Sequence, residues 1–221
     1  MNLTDDEQKI MNSYEKIGIK AGAPYDFYEK NPELKEAINK GIELGEKRVD
    51  SMATNLGKNV NGWELSSTAD YFGTDYTLRT GWGKRAIYVN SPKEAYYPSI
   101  AVDSNGNKLN GNNQYSITFS AGNLPPAKFF WSLTMYYAES KLLVENEIKR
   151  YSIGDRTKSM KYNKDGSLTV YFGNKKPKEG ADNWLPAPAG DFYMLMRLYG
   201  PGEKVLKGEW TPPAIIKQGI E

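Results

Sequence analysis

The stretch Phe129-Phe130-Trp131-Ser132-Leu133-Thr134-Met135-Tyr136-Tyr137 decides the fold of this chain. Successive side chains of a strand point to opposite faces. Read that way, Phe129, Trp131, Leu133, Met135 and Tyr137 share one face, and Phe130, Ser132, Thr134 and Tyr136 line the other. The second face mixes an aromatic, two hydroxyls and a phenol, which suits a polar cleft better than a dry core. The plainer alternative is that Ser132 and Thr134 only hydrogen-bond across strands. A second stretch, Tyr193-Met194-Leu195-Met196-Arg197-Leu198-Tyr199, puts Tyr193, Leu195, Arg197 and Tyr199 on one face.

Outward from these two stretches, strands are expected at 86–89, 97–102, 114–120, 142–151, 160–162 and 168–172. Turn chemistry separates several of them. Asp103-Ser104-Asn105-Gly106 is one turn, and Asn163-Lys164-Asp165-Gly166 is another, where Asp-Gly supplies the positive φ of a hairpin. About eight short strands with polar turns point to an antiparallel β-sandwich rather than an α/β sheet. The Pro-rich pieces Leu124-Pro125-Pro126, Trp184-Leu185-Pro186-Ala187-Pro188 and Thr211-Pro212-Pro213 read as rigid connectors.

The N-terminal part reads differently. Thr4-Asp5-Asp6-Glu7 has capping-box spacing, and Ile10, Tyr14 and Ile17 recur on one helical face. Gly18 and Ala21-Gly22-Ala23-Pro24 end that helix. Asn31-Pro32 starts a longer one, with Leu34, Ile38, Ile42, Gly45, Val49, Met52 and Leu56 as its stripe and Gly57 as its stop. The chain is therefore expected to be mainly β with an N-terminal helical segment at 1–60 and a β domain at 61–221.

Composition narrows the chemistry. The 221 residues include no cysteine and no histidine. That removes disulfides, thiolate nucleophiles, His-ligated metals and Ser-His-Asp mechanisms, and leaves carboxylates, Tyr, Lys, Arg and hydroxyls. A net charge of +2 gives no electrostatic footprint for nucleic acid or a membrane surface. No apolar run reaches 18 residues, and Met1–Ile10 is too polar for a signal peptide, so no membrane insertion is expected. The chain reads as soluble, cytoplasmic as it stands or periplasmic within a longer precursor. Tyr supplies 16 residues, more than Phe and Trp together, which favours strands and suits sugar or small-molecule surfaces.

Phosphate-loop and dinucleotide motifs are absent. Gly81-Trp82-Gly83-Lys84 is expected to be a bend beside a strand. Asp103-Ser104-Asn105-Gly106-Asn107 has its glycine too early for a calcium loop, and Gln114 stands where the bidentate Glu belongs, so it reads as a turn. Lys175-Lys176-Pro177-Lys178 is a solvated loop without interleaved aromatics. Arginine is scarce, six against 23 Lys, so each strand-like Arg is weighed individually. Arg79, Arg150 and Arg197 can each clamp a carboxylate, phosphate or sugar oxygen, or pair structurally with Asp75 or Glu147.

Asp75-Tyr76 with Arg79, Lys108-Leu109-Asn110-Gly111, Phe130 to Tyr136, Leu143-Val144-Glu145-Asn146, Asp165-Gly166-Ser167-Leu168, Asn183-Trp184-Leu185-Pro186-Ala187-Pro188 and Arg197-Leu198-Tyr199 with Pro201 follow in order. Together they resemble the DUF1214 domain, commonly placed C-terminal to DUF1254 in bacterial proteins, over about residues 60–215. The resemblance implies a jelly-roll form of the sandwich. It implies no catalytic residues, cofactor or metal.

The leading expectation is a small-molecule or carbohydrate-binding accessory module, with Tyr76, Arg79, Trp131, Tyr136, Arg150, Trp184 and Arg197 as ligand-binding candidates. Two alternatives stand beside it. One is an enzyme independent of His and Cys, with Tyr136 or Tyr76 as acid/base, Arg150 or Arg197 as anion clamp, and Asp75 or Glu147 as base. The other is a structural module packing on an upstream domain or a second copy of the chain.

Overall fold

Helix formation begins where the capping chemistry places it. In the computed structural model, which describes residues 3–20, 22–24, 31–66 and 68–219, Thr4 caps α1 (Asp5–Tyr14). The Thr4 hydroxyl accepts from the Glu7 N–H at 3.3 Å, and the Glu7 carboxylate accepts from the Thr4 N–H at 2.8 Å. The bonds from the Thr4 N–H and hydroxyl hold the Glu7 carboxyl below its ordinary range. Gly18 closes the following 3-10 turn at φ 80°. Ala21, within the expected breaker stretch, lies outside the described residues. α2 (Lys35–Thr54) starts later than Asn31-Pro32 because a 3-10 turn, Pro32–Leu34, precedes it. It also stops earlier than Gly57. The Asn55 side chain donates to the Ser51 carbonyl at 2.7 Å and satisfies one of the orphaned C-terminal acceptors.

α3 (Tyr76–Ala86) corrects two expectations. The glycine-rich bend at Gly81-Trp82-Gly83-Lys84 lies inside this helix, and the strand expected at 86–89 begins at its last residue. Gly81 is buried, and a Cβ there would lie 2.6 Å from Met52 Cγ, so the glycine serves close approach to α2 rather than a turn. An ion pair between Lys84 and Asp50 spans the same two helices. Contacts divide the chain into two compact units. Met1–Leu56 with Tyr71–Tyr88 forms a helical unit, and Gly57–Asp70 with Val89–Glu221 forms a β unit.

Among its described residues the β unit holds eleven strands and one short α-helix, α4 (Glu203–Leu206). Its first sheet contains β1 (Lys58–Val60), β2 (Trp63–Leu65), β3 (Ala95–Tyr96), β4 (Ser99–Ile100), β6 (Ala127–Tyr137), β7 (Ser152–Gly154) and β10 (Phe192–Pro201). The order is β1-β2-β4-β10-β6-β7, with β3 also paired to β10. The second sheet, β11-β5-β8-β9, contains β5 (Tyr115–Phe119), β8 (Leu168–Gly173), β9 (Trp184–Pro186) and β11 (Ile216–Lys217). Both sheets are open, and they share one core. Leu133, Met194, Met196 and Leu198 from the first meet Ile117, Phe119, Val170 and Phe172 from the second, all fully buried. Trp131 rests on Phe119 at 5.6 Å between ring centroids, and Tyr115 meets Phe192 edge-on at 6.0 Å.

Pairing is antiparallel except for β8 with β9, which run parallel and depart from the wholly antiparallel expectation. β9 is the segment expected to be a rigid connector. It sits at a sheet edge, where a proline costs little ladder bonding. Of the residues at 142–151, expected as a strand, Leu143 makes a single bridge to Tyr136 and the rest are irregular. The reason is Asn146, whose side chain donates to the carbonyls of Val144 and Arg150 and accepts from the Arg150 N–H, all at 2.9–3.0 Å. Local side-chain bonding replaces the ladder there. Residues 160–162 likewise carry no strand, and 97–102 shorten to β4 plus a bridge from Val102 to Lys108. The Asp103 loop is a turn as expected, its carboxylate accepting from the N–H groups of Asn105 and Asn107.

A Cβ at Gly111 would collide with the Pro188 carbonyl oxygen, and the Gly111 N–H is already bonded to the Gly190 carbonyl at 3.0 Å. Backbone atoms on both sides cannot yield as a flexible side chain would. Gly111→Ala is expected to cost roughly 1–3 kcal/mol. Urea denaturation checks this, and an unshifted midpoint would contradict the close approach.

Candidate functional site

The long pair β6/β10 builds the site. Its register sets Tyr193 opposite Tyr136, Leu195 opposite Thr134, Arg197 opposite Ser132 and Tyr199 opposite Phe130. Because alternate residues feed the core, these eight stand together on the outer face. Arg197 leans along the strand, as long side chains on a sheet do. Its Nη1 donates to Thr134 Oγ1 at 2.7 Å and its Nη2 to the Tyr136 hydroxyl oxygen at 2.6 Å. Both acceptors are neutral. Among the described residues no carboxylate lies within ion-pair distance of this guanidinium. Glu64 shares the face from β2, two strands away from β10.

Aromatic rings flank Arg197 along the strands. Tyr136 stacks on Tyr193 with centroids 5.1 Å apart and planes within 15°. Phe130 stacks on Tyr199 at 4.5 Å and 16°. Cations close the outer sides of these pairs: Lys141 Nζ lies 4.9 Å from the Tyr193 centroid, and the Arg156 guanidinium 4.1 Å from that of Phe130. Tyr97 meets Tyr199 edge-on at 6.4 Å and takes a 2.7 Å hydrogen bond from the Asn90 amide. Burial first, then a hydrogen bond with Tyr199 and repulsion from its phenol, push the Tyr97 hydroxyl up to about 12 against the opposing pull of Asn90 and Arg197. Tyr97 is therefore a neutral phenol throughout the physiological range.

The sequence candidates separate into several places. Tyr136 and Arg197 come together as described. Trp131 points the other way, into the core, and is 4% exposed. Arg150 and Trp184 also meet, but as framework. Arg150 Nη1 donates to the carbonyls of Trp184 (2.8 Å) and Asp182 (3.0 Å), and Nη2 donates to the Ser159 hydroxyl (3.1 Å). Trp184 is buried, with Nε1 bonded to the Gly173 carbonyl at 3.0 Å. Tyr76 and Arg79 lie on α3 in the helical unit, Arg79 exposed. Asp75 caps α3, accepting from the Leu78 N–H at 2.9 Å, and Glu147 is an exposed loop residue.

Sequence reasoning passed over Tyr97, Lys141 and Arg156, since contact order along the chain does not reveal cross-strand neighbours. The scarcity of Arg was the available signal for Arg156. A cleft of about 780 Å³ lies elsewhere in the β unit, lined by Tyr137, Glu139, Glu145, Pro188 and Asp191 among others. None of the sequence candidates lines it. Among the described residues no cluster of carboxylates could hold a metal ion, and no helix is long and apolar enough to cross a membrane.

Comparison with known proteins agrees with this β unit. The model of the family described as "Protein of unknown function (DUF1214)" matches residues 94–203, the span that carries β3 through the start of α4. The chain is a DUF1214 domain protein. The matched residues include the whole of β6 and β10, so the Arg197 face belongs to the DUF1214 domain itself. Among solved structures the chain is similar to the VPA0106 protein from Vibrio parahaemolyticus, with 27% identity and a TM-score of 0.68 over 96% of this chain and 51% of that one. It also matches an uncharacterised protein from Burkholderia cenocepacia at 13% identity and a TM-score of 0.41, over 96% of this chain and 49% of that one. The chain thus spans about half the length of these solved relatives. No curated protein matches it.

Two measurements check this geometry. With its pKa above that of a free phenol, Tyr97 keeps its proton in the native state between about pH 10 and 12 while the unfolded chain loses it. The native state then holds more protons, so stability falls as pH rises through that window. Tyr97→Phe is expected to flatten the fall measured by urea denaturation at pH 9.5 and 11.5, leaving the part due to buried Tyr96, whose pKa burial also raises. Arg150→Gln leaves two backbone carbonyls and a hydroxyl short of donors. A loss of about 2–3 kcal/mol is expected, and a neutral result would contradict its framework role.

Proposed function

We propose that this chain is a binding module for a small polar ligand, taken up on the outer face of β6 and β10. The observation that carries the reading is the half-buried Arg197, held by two neutral hydroxyls and lacking a carboxylate partner. A structural arginine out of water is ordinarily met by carboxylates or by backbone oxygens, as Arg150 is, because desolvating an unsatisfied guanidinium is costly. One held open by Thr134 and Tyr136 retains N–H donors for something that arrives from solution. Small organic molecules and carbohydrates both offer oxygen acceptors of that kind. The alternation of the chain between the two sheets, from β4 to β5 to β6 and from β7 to β8, supports reading the sandwich as a jelly roll with this face as its presenting surface.

The acid/base alternative gains no support from the arrangement. Asp75 is committed to a helix cap, Glu147 stands on an exposed loop, and the Tyr136 hydroxyl is bonded to Arg197 with neither of these carboxylates beside it. Binding is the reading that uses the open donors of Arg197.

A thermal-shift screen of small organic acids, sugars and polyols on the wild-type protein and on Arg197→Gln tests it. A ligand at ten times its Kd is expected to raise Tm by about 3–6 °C, with the rise lost in the variant. Shifts of equal size in both proteins would count against this face as the site.

A further inference from the structure

Resting on that reading, we infer that the ligand of this face is a small organic carboxylate recognised by Arg197 and the Tyr136 hydroxyl, not a neutral sugar held by stacking. Sugars and bases bind aromatic side chains through free ring faces. Phe130 has one face on Tyr199 and the Arg156 guanidinium 4.1 Å from its centroid, on the side that stack leaves open. Tyr193 has one face on Tyr136, with Lys141 at 4.9 Å. Arg197 reaches Tyr136 at its hydroxyl, its guanidinium carbon 5.8 Å from the ring centroid, and Tyr199 and Tyr97 meet at right angles. Each of the four rings has one face taken by its parallel neighbour, and Phe130 and Tyr193 carry a cation besides. Little ring face is left for stacking, and the ring edges beside Arg197 carry the positive end of the quadrupole.

The polar groups have the same sign. Arg197 has five N–H donors and spends two of them on Thr134 and Tyr136. Tyr136 accepts from Arg197 Nη2, so its own proton is turned to another partner. Lys141 and Arg156 add positive charge at the two ends of the face. Glu64 stands on the same face two strands away from β10, and around Arg197 itself there are donors and cations but no carboxylate. Such a surface complements a ligand that only accepts. The planar guanidinium fork matches the two oxygens of a carboxylate, and a single central fork suits one negative charge.

The test is an NMR titration of the tyrosine ring resonances with D-glucuronate, D-glucose and inorganic phosphate. Glucuronate differs from glucose chiefly by a carboxylate in place of a hydroxymethyl group. The expected result is saturable shifts at Tyr136 and Tyr193 with glucuronate, at least tenfold weaker binding of glucose, and weaker binding of phosphate. Arg197→Gln is expected to weaken glucuronate at least tenfold. Tyr136→Phe keeps the stacked ring and charge but loses one donor, and is expected to weaken it several-fold, with far-UV circular dichroism of both variants unchanged. Should Arg197→Gln not fold, Tyr136→Phe carries the test, and unchanged affinity in it overturns the inference. Glucose binding as tightly as glucuronate at the same residues overturns the carboxylate assignment and leaves the binding face standing. Phosphate binding as tightly through Arg197 also overturns that assignment. No shift at these tyrosines with any probe overturns both the inference and the binding face.

Discussion

Everything in the β unit depends on the register between β6 and β10. Among the described residues these are the two long strands, eleven and ten residues, and they sit side by side within the seven-stranded sheet. With a side-chain period of two, a slip of one residue would exchange their faces. Leu133, Met194, Met196 and Leu198 would go to the outside, and Thr134, Tyr136, Arg197 and Tyr193 would go into the core. The burial of the apolar set makes that slip prohibitive. The same energy that assembles the core therefore holds Arg197 beside Thr134 and Tyr136.

The outer face is a case of neutral support for a charge. Thr134 and Tyr136 orient the guanidinium without neutralising it, whereas Arg150 is consumed by carbonyls and a hydroxyl within the framework. Two arginines in strand-like sequence contexts thus have different uses. What distinguishes them is which acceptors the tertiary structure places around each, backbone oxygens in one case and side-chain hydroxyls on an open sheet in the other. The stacked pairs Tyr136/Tyr193 and Phe130/Tyr199 add rigidity along the strands and present ring edges beside the guanidinium.

Where sequence and structure part, the cause is local competition or a distant neighbour. The Asn146 loop replaces an expected strand because one side chain can bond three backbone groups in its own vicinity. The Gly81 segment became helical because Asp75 caps it and Gly81 allows close approach to Met52, a residue 29 positions earlier. β9 was hidden by its prolines, which a sheet edge tolerates. Trp131 and Trp184 looked like ligand platforms only because burial is not written in a residue's identity.

By itself the sequence determined the class of the protein. Period-two alternation in 129–137 and 193–199, the Thr4 capping box and the helical stripe each carry their structural meaning within a few residues. The absence of His and Cys bounded the chemistry before any coordinate was known. Tertiary structure alone decided the site. Pairing Arg197 with residues some sixty positions earlier, and bringing Tyr97, Lys141 and Arg156 to the same face, requires chain segments far apart in sequence to meet. Local propensity carries no record of that meeting, because core burial and sheet register set it over the whole chain.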